Sequence, residues 1–393
     1  MAQPKIPSKR NIYLLGLVSF INDTGSKMIL PILPLFIKSL DGSGLAIGLV
    51  GGLGETIAAL LKVFAGHISD KIGKRKPFVF FGYGIAAIAK LLLAVAGVWP
   101  HVLILRSIER LGKGVRQPAR DALLAASTTK KARGRGFGIH RAFDSGGAIL
   151  GSLLALTLFW FLDFNFRQIF LFAGIISLLS LLPAFFVREG NLDAKREKAP
   201  AVSISLKSLP RNLEAFILIA SIFALANFSY MFFILRSEQF FLKELAVVMP
   251  ILMYAIYNTI ATSFAVPAGI LSDKIGRKKV LLFGYALFAL VSLAFIYVSS
   301  LIMMALLFFL YGLFFAFVDA SERAFVSDMA PKEICATALG TFQAATGLAL
   351  LPASVIAGLL WDSFGFTATF FYGFLLALIA VLLFIIFDRL NLL

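Results

Sequence analysis

Apolar runs of about 20 residues, each long enough to cross a bilayer, recur along almost the whole chain. No other feature limits the fold so strongly. Lipid offers no hydrogen bonds, so a spanning backbone satisfies its own N–H and C=O groups, and runs of this length are expected to be helices. Twelve are read, near 12–38, 45–66, 77–98, 101–123, 137–161, 166–187, 213–238, 246–269, 280–299, 301–325, 334–360 and 367–388. Composition agrees: 60% of the 393 residues are hydrophobic and only 15% charged, against about 25% charged in soluble domains. Spans four and ten are the least apolar and depend on burial inside a bundle. The first run is too long for a secretory signal and lacks a small-residue cleavage site, so it reads as a retained span.

The charge pattern gives the topology. Connectors after spans two, four, six and eight are basic, as at Lys71–Lys76, Lys130–Arg135, Arg188–Arg211 and Lys274–Lys279. Those after spans three, five, nine and eleven carry almost no Lys or Arg. This bias places both termini in the cytoplasm. It also accounts for the net charge of +16 without a nucleic-acid partner. The single cysteine, Cys335, forms no intrachain disulfide, and His67, His101 and His140 are scattered, so no metal site is expected.

The stretch 188–212 interrupts the apolar pattern and reads as a solvated tether. It divides the chain into an N-terminal six-helix bundle, 1–187, and a C-terminal one, 213–393. A repeat supports the division. Residues 66–76 read Gly-His-Ile-Ser-Asp-Lys-Ile-Gly-Lys-Arg-Lys, and residues 269–279 read Gly-Ile-Leu-Ser-Asp-Lys-Ile-Gly-Arg-Lys-Lys. Each follows the second span of its half, and each precedes a span with an early Gly-Tyr, at Gly82-Tyr83 and Gly284-Tyr285. Repeated motifs on the same side imply two parallel halves related by an axis along the membrane normal.

These segments resemble the loop between spans two and three of the major facilitator superfamily, Gly-x-x-x-Asp-x-x-Gly-Arg-Arg/Lys. The resemblance implies an all-α membrane protein of twelve transmembrane helices in two six-helix bundles, with a conformational latch at the loops. The latch candidates are Gly66, Asp70, Gly73, Lys74 and Arg75, their counterparts Gly269, Asp273, Gly276 and Arg277, and Arg116 and Arg120 as partners for Asp70. Gly66 and Gly269 allow close helix approach. Gly73 and Gly276 permit a tight reversal. Asp70 and Asp273 can accept from a helix N-terminus or pair with arginine, and the basic triplets anchor at the headgroups.

Span one holds Asn22-Asp23 near its middle, followed by Pro31-Ile-Leu-Pro34. This resembles the drug:proton antiporter branch of the superfamily. An acid at that depth costs about 2.5–3.5 kcal/mol on insertion scales, so it is functional or paired. Asp23, Glu55 in span two and Asp144 in span five are the proton-coupling candidates. The competing reading pairs Asp23 with a basic group of another span. In the coupling reading Asp23 leads, and Arg110, at similar depth in span four, is the cation expected beside it. Lys90 in span three is a further intramembrane charge, whereas Lys62 lies where it can snorkel.

In span four, Arg106, Glu109, Arg110, Lys113, Gln117 and Arg120 share one face at 100° per residue. That face meets the bundle interior or water. Gly112-Lys113-Gly114 lacks the Walker spacing and a preceding strand, so it is no phosphate loop. Arg106 resembles the start of the superfamily's span-four Arg-x-x-x-Gly, with Arg110 in the glycine position. Span five has Arg141 and Asp144, then Gly147-x-x-x-Gly151-Ser152, where the antiporter pattern has Gly-x-x-x-Gly-Pro; a close-packing face explains the glycines equally. Gly347 to Pro352 holds the equivalent place in the second half. In span ten, Asp319 and Arg323 stand i, i+4 and can neutralise each other. The substrate-cavity candidates are Asn22, Asp23, Lys90, Arg106, Glu109, Arg110, Lys113, Arg141, Asn227 and Asp319.

The function implied is a secondary active transporter, not an enzyme and without a cofactor. It is expected as a monomer in the cell inner membrane, carrying small organic or drug-like molecules outward in exchange for protons by alternating access. The alternative is a carrier of organic anions, carboxylates or phosphate esters, bound by the basic cluster of span four. A sensor with the same architecture is a third class. No nucleotide-binding motif supports an ATP-driven pump. The anion reading loses its basis if Arg106 and Arg110 are each neutralised by Glu109, Asp23, Glu55 or Asp144.

Overall fold

The computed structural model describes residues 9–129, 132–189, 209–331, 334–390 and 392, without the side chains of residues 9, 67, 70, 320 and 336. The expected linker 188–212 falls largely outside these residues. Among them there is no strand, and the helices follow the expected spans. Span one is Lys9–Ile29 with Leu33–Ser39, span two Gly44–Ile72, span three Lys76–Leu93, span four Trp99–Ala126, span five Arg133–Phe161 and span six Phe166–Leu179 with Leu181–Phe185. The second half repeats the plan. Span seven is Arg211–Ala226 with Met231–Glu238, span eight Leu245–Ser263 with Ala265–Ile275, span nine Arg277–Ile296, span ten Leu301–Met329, span eleven Cys335–Phe364 and span twelve Phe366–Arg389. Ten of these are long and apolar enough to cross a membrane by composition; span ten, expected among the least apolar, is instead among the most apolar of them. Span one, interrupted at its prolines, and the charged span four complete the twelve.

The interruptions have local causes. Pro183 and Pro267 have no N–H to give to the carbonyls four residues earlier, Leu179 and Ser263, which are where the preceding helices stop. Pro31 stands between the two segments of span one, and Pro34 occupies the first turn of the second, where a missing donor costs nothing. Span seven breaks between Ala226 and Met231 without a proline. There Ser229 N donates to Ser354 Oγ at 3.1 Å, so span eleven supplies a bond the helix gives up.

By contacts the chain separates into two compact units. One is Met1–Leu30, Ile57–Gly97 and His101–Ala201; the other is Pro31–Thr56, Val98–Pro100 and Val202–Leu393. Two segments of the first sequence half, 31–56 and 98–100, belong to the second unit. In unit 1, span five lies along span one. A Cβ on Gly147 would come within 2.3 Å of Phe20 O, and one on Gly151 within 2.2 Å of Thr24 O, so the two backbones touch. That contact accounts for the span-five glycine pair by packing.

Unit 2 has an aromatic core. Phe233, just past the break in span seven, has ring centroids of Tyr311 at 4.3 Å, Phe295 at 5.0 Å, Phe370 at 5.1 Å and Phe228 at 5.4 Å around it. The start of span two joins this unit along a small-residue seam with span eleven. A Cβ on Gly48 would stand 2.1 Å from Ser354 O, and one on Gly358 would stand 2.3 Å from Gly44 O. The seam ends at Asp362, whose two oxygens accept from Gly44 N at 2.7 Å and Leu45 N at 2.8 Å. A carboxylate there meets the positive end of the helix dipole.

The two signature loops turn as expected at Gly73 (φ 71°) and Gly276 (φ 95°). Two expectations are corrected. A Cβ on Gly269 would meet nothing within 4 Å; the face of span eight toward span ten is carried one position away, by buried Ala268 and by Ser272, which accepts from Ser321 Oγ at 3.2 Å. Arg75 is no headgroup anchor but is buried. Its backbone N–H donates to Glu189, beyond span six, and Lys76 N follows to the same carboxylate at 3.4 Å, which draws the start of span three inward. In unit 2, Lys278 and Asp388 tie the start of span nine to the end of span twelve at 2.7 Å.

The glycine seam yields a test. Gly48→Ala is expected to cost about 1–3 kcal/mol, since the added methyl forces two backbones apart. Gly97→Ala, where a Cβ meets nothing within 4 Å, is expected within about 0.5 kcal/mol of the parent. Thermal unfolding of both variants in detergent checks the difference; equal midpoints would show that the seam is not close-packed.

Candidate functional site

Unit 1 gathers charge where lipid cannot serve it. Span four is held by the two glycines flanking Lys113. A Cβ on Gly112 would lie 2.5 Å from Gly82 O in span three, and one on Gly114 would lie 2.7 Å from Leu61 Cβ in span two. The Gly-Lys-Gly run is thus a close-packing device that fixes span four against two neighbours at once. Arg106, Glu109, Arg110 and Arg116 are all buried. Arg106 Nη1 is hydrogen-bonded to Glu109 one turn on. The Arg116 guanidinium sits 4.3 Å from the centroid of the Tyr83 ring. Lys113 and Gln117 are half-buried.

Lower in span four, Arg120 gathers a second set. It reaches Asp121 Oδ1 at 2.9 Å and Asp144 Oδ1 of span five at 3.9 Å, and it donates to Ser19 Oγ of span one at 3.2 Å. Ser19 Oγ also meets Tyr83 OH at 3.0 Å and His140 Nε2 at 2.9 Å. The hydroxyl closes this set if it accepts from Arg120 and Tyr83 and donates to His140. Arg116 and Arg120, expected as partners of Asp70, are thus engaged with Tyr83, Asp121, Asp144 and Ser19. Asp70 itself lies outside the described side chains. In unit 2 the counterpart loop is described: Arg277 pairs with Asp273 at 3.4 Å and with Asp328, at the end of span ten, at 2.9 Å.

The mid-membrane acid of span one stands in a different network. Asp23 is half-buried and accepts from Asn22 Nδ2 at 3.0 Å. The cation joined to this pair is Lys90 of span three. Lys90 is 0% exposed. Its Nζ donates to Asn22 Oδ1 at 3.0 Å, to Asn22 O at 3.3 Å and to Ser177 Oγ of span six at 2.9 Å. Lys90 stands deeper in the helix packing than Arg110 because spans one and six close around it. A Cβ on Gly25 would lie 2.3 Å from Ser177 Oγ, and one on Gly174 would lie 2.6 Å from the Leu91 side chain. Glu55 is half-buried and Arg141 exposed.

Unit 2 gathers aromatic rings, with Tyr254 and Tyr311 buried and Tyr230 and Tyr257 half-buried. Tyr230 lies at the break of span seven, Tyr254 and Tyr257 in span eight, and Tyr311 in span ten. Their ring centroids follow one another at 5.6 Å, 5.6 Å and 4.9 Å. Tyr311, Phe315 and Asp319 stand at i, i+4 and i+8 on one stripe of span ten. Asp319 pairs with Arg323 at 2.8 Å and remains partly exposed; its stripe therefore faces protein or water rather than hydrocarbon. Asn227 ends the first segment of span seven, half-buried. Deeper, Tyr285 OH donates to Glu322 Oε1 at 2.7 Å.

The sequence profile of the Major Facilitator Superfamily matches residues 15–261 and 246–391. The chain belongs to this superfamily. An uncharacterized MFS-type transporter of Methanocaldococcus jannaschii is 48% identical over 377 residues, covering 95% of this chain and 94% of that one. Multidrug resistance protein MdtG of Dickeya zeae is 26% identical over 195 residues, 48% of this chain and 47% of its own. Among solved structures, a crystallised variant of the nucleoside transporter NupG matches with a TM-score of 0.80 at 16% identity, over 96% of this chain and 99% of that one. That likeness establishes the fold. The protein is a multi-pass membrane transporter.

Several groups in this transporter escape sequence reading. Ser177, Ser19 and Glu189 lie in runs without a motif, and only the fold brings them to Lys90, Arg120 and Arg75. The tyrosines carried a usable signal: Tyr254, Tyr257 and Asn258 share a helical face, as do Tyr311, Phe315 and Asp319. The buried Arg106–Glu109 pair generates a second prediction. Glu109→Gln removes the counter-charge of a buried guanidinium and is expected to cost about 3–5 kcal/mol of stability, while the double change Arg106→Met with Glu109→Met recovers most of it. A double-mutant cycle on thermal unfolding checks this; additive effects would mean that the two side chains do not depend on each other.

Proposed function

We propose that this transporter exports small organic, drug-like molecules across the cell inner membrane in exchange for protons, by alternating access, with both termini in the cytoplasm. The observation that carries the reading is Asp23: a carboxylate midway along span one, half-buried, hydrogen-bonded to Asn22 and in no ion pair among the described residues. Such a group can take up and release a proton without first breaking a salt bridge. The partial match to a multidrug resistance protein points the same way. For the substrate, the tyrosine cluster with Asp319 suits an organic cation carrying apolar rings, through cation–π attraction and the carboxylate. Of the two arginines on which the anion alternative rests, Arg106 and Arg110, the first is matched by Glu109. The seam of spans two and eleven and the pair Lys38–Glu238, 2.6 Å apart, are contacts that an alternating cycle would make and break.

The reading is tested with purified protein in liposomes containing a pH-sensitive dye. Tetraphenylphosphonium is expected to move with a proton flux and benzoate without one; the reverse would favour the anion carrier. Asp23→Asn is expected to abolish accumulation driven by a pH gradient while retaining measurable downhill exchange, and full uphill transport by this variant would sink the coupling role. Tyr257→Ala is expected to weaken tetraphenylphosphonium binding by about 3- to 30-fold, the equivalent of roughly 0.5–2 kcal/mol of cation–π attraction. Unchanged affinity would remove the tyrosine cluster from the substrate site.

A further inference from the structure

The proposed coupling through Asp23 leaves Lys90 without a role, although no other lysine of the described chain is so completely enclosed. Charged side chains inside a membrane are costly and are kept where they are paired or used. Lys90 is not ion-paired: among the described residues its three hydrogen-bond partners, Asn22 O, Asn22 Oδ1 and Ser177 Oγ, are all uncharged. Their chemistry is specific. An ammonium has three protons to donate, and each of the three oxygens can accept one. A neutral amine has two protons and a lone pair. The two Asn22 oxygens can only accept, but the Ser177 hydroxyl can also donate. Turning that one O–H satisfies the neutral amine as fully as the ammonium. The site therefore holds Lys90 in either protonation state with no orphaned polar atom, which a purely structural cation does not require.

We propose that Lys90 is a proton-carrying group of the transport cycle, loaded and unloaded through Asp23. The inference rests on the proton-coupled reading above. Asp23, beside Asn22 and half-buried, is the station nearer solvent. It takes a proton from water, forming an O–H bond. Once the Asn22 side chain rotates aside, the lone pair of Lys90 accepts that proton; the N–H bond forms as the O–H bond breaks, leaving an ammonium and a restored carboxylate. Release runs in reverse. The charged groups that surround Lys90 are Asp23 of span one and Glu109, Arg106 and Arg116 of span four, while span six contributes only the Ser177 hydroxyl. Because Lys90 is closed in by Gly25 against Ser177 and by Gly174 against Leu91, the exchange requires span one to move relative to spans three and six. Protonation and helix movement are thereby linked.

The test uses the full chain in liposomes, with tetraphenylphosphonium as probe and a pH-sensitive dye. In Lys90→Met the ratio of pH-driven uphill flux to downhill flux is expected to fall at least tenfold. Lys90→Arg is the deciding variant, since a guanidinium keeps the charge but does not release it. It is expected to uncouple as Lys90→Met does, and restored coupling in Lys90→Arg would overturn the proposal in favour of a fixed charge. A direct measurement covers the case in which these variants fold poorly. The 15N resonance of Lys90 Nζ in the parent protein, assigned by its loss in Lys90→Arg or by its coupling to Ser177, is expected to titrate over the pH range in which transport changes. A signal that stays that of an ammonium throughout overturns the proposal. If the parent protein itself shows no proton flux with the probe, the coupling reading fails first, and that outcome is distinct from coupled transport that survives in Lys90→Met.

Discussion

Lipid supplies neither hydrogen bonds nor counter-charges, and every polar group that the chain carries into the membrane has to be met from within the chain. Span four makes this demand most heavily. Its answer is a division of labour along one helix: glycines at 112 and 114 bring it against spans two and three, and the side chains on either side of them turn toward acids, a tyrosine ring and a hydroxyl of the same unit. Close backbone approach comes first, because side chains of neighbouring spans reach those of span four only where the helices draw near. Span five obeys the same rule, with Gly147 and Gly151 bringing its helix onto span one while Asp144 extends toward Arg120.

The two halves begin from one plan and stabilise themselves differently. Unit 1 matches charges; unit 2 packs aromatic rings around Phe233 and stacks Phe223 on Tyr285 with centroids 3.7 Å apart. One feature survives in both. An acid near the end of the sixth span of each half, Glu189 just beyond it or Asp388 in its last turn, holds the start of the third, through backbone N–H groups in one case and through Lys278 in the other. The duplicated tie places the same constraint beside each signature loop.

Much of this was legible in the sequence. Span number follows from run length, and the loop repeat gave both the duplication and the positive φ of Gly73 and Gly276. The charged face of span four had to be interior for reasons of solvation alone. What periodicity could not supply was pairing between spans. Asp23 and Arg110 lie at similar depths, and depth is what a linear reading measures; which cation reaches the span-one pair is set by the rotation of each helix and by where glycines let neighbours close in. Those choices put Lys90 there. Arg75 escaped for a similar reason, since nothing in its own neighbourhood announces Glu189, more than a hundred residues on. Gly269 shows the converse: a residue that matches a motif need not do the same packing in both copies.

The seam between spans two and eleven has a mechanical side. Most helix pairs lock by seating side chains between those of a neighbour, and to separate them each must be withdrawn. Along Gly44, Gly48 and Gly358 there is nothing to withdraw: the surfaces are bare backbone, smooth on the scale of a methyl group. Such a joint is fastened at one end by Asp362 on the first turn of span two, and its grip along these glycines comes from backbone contact alone. It behaves less like a gear than like a latch on a hinge.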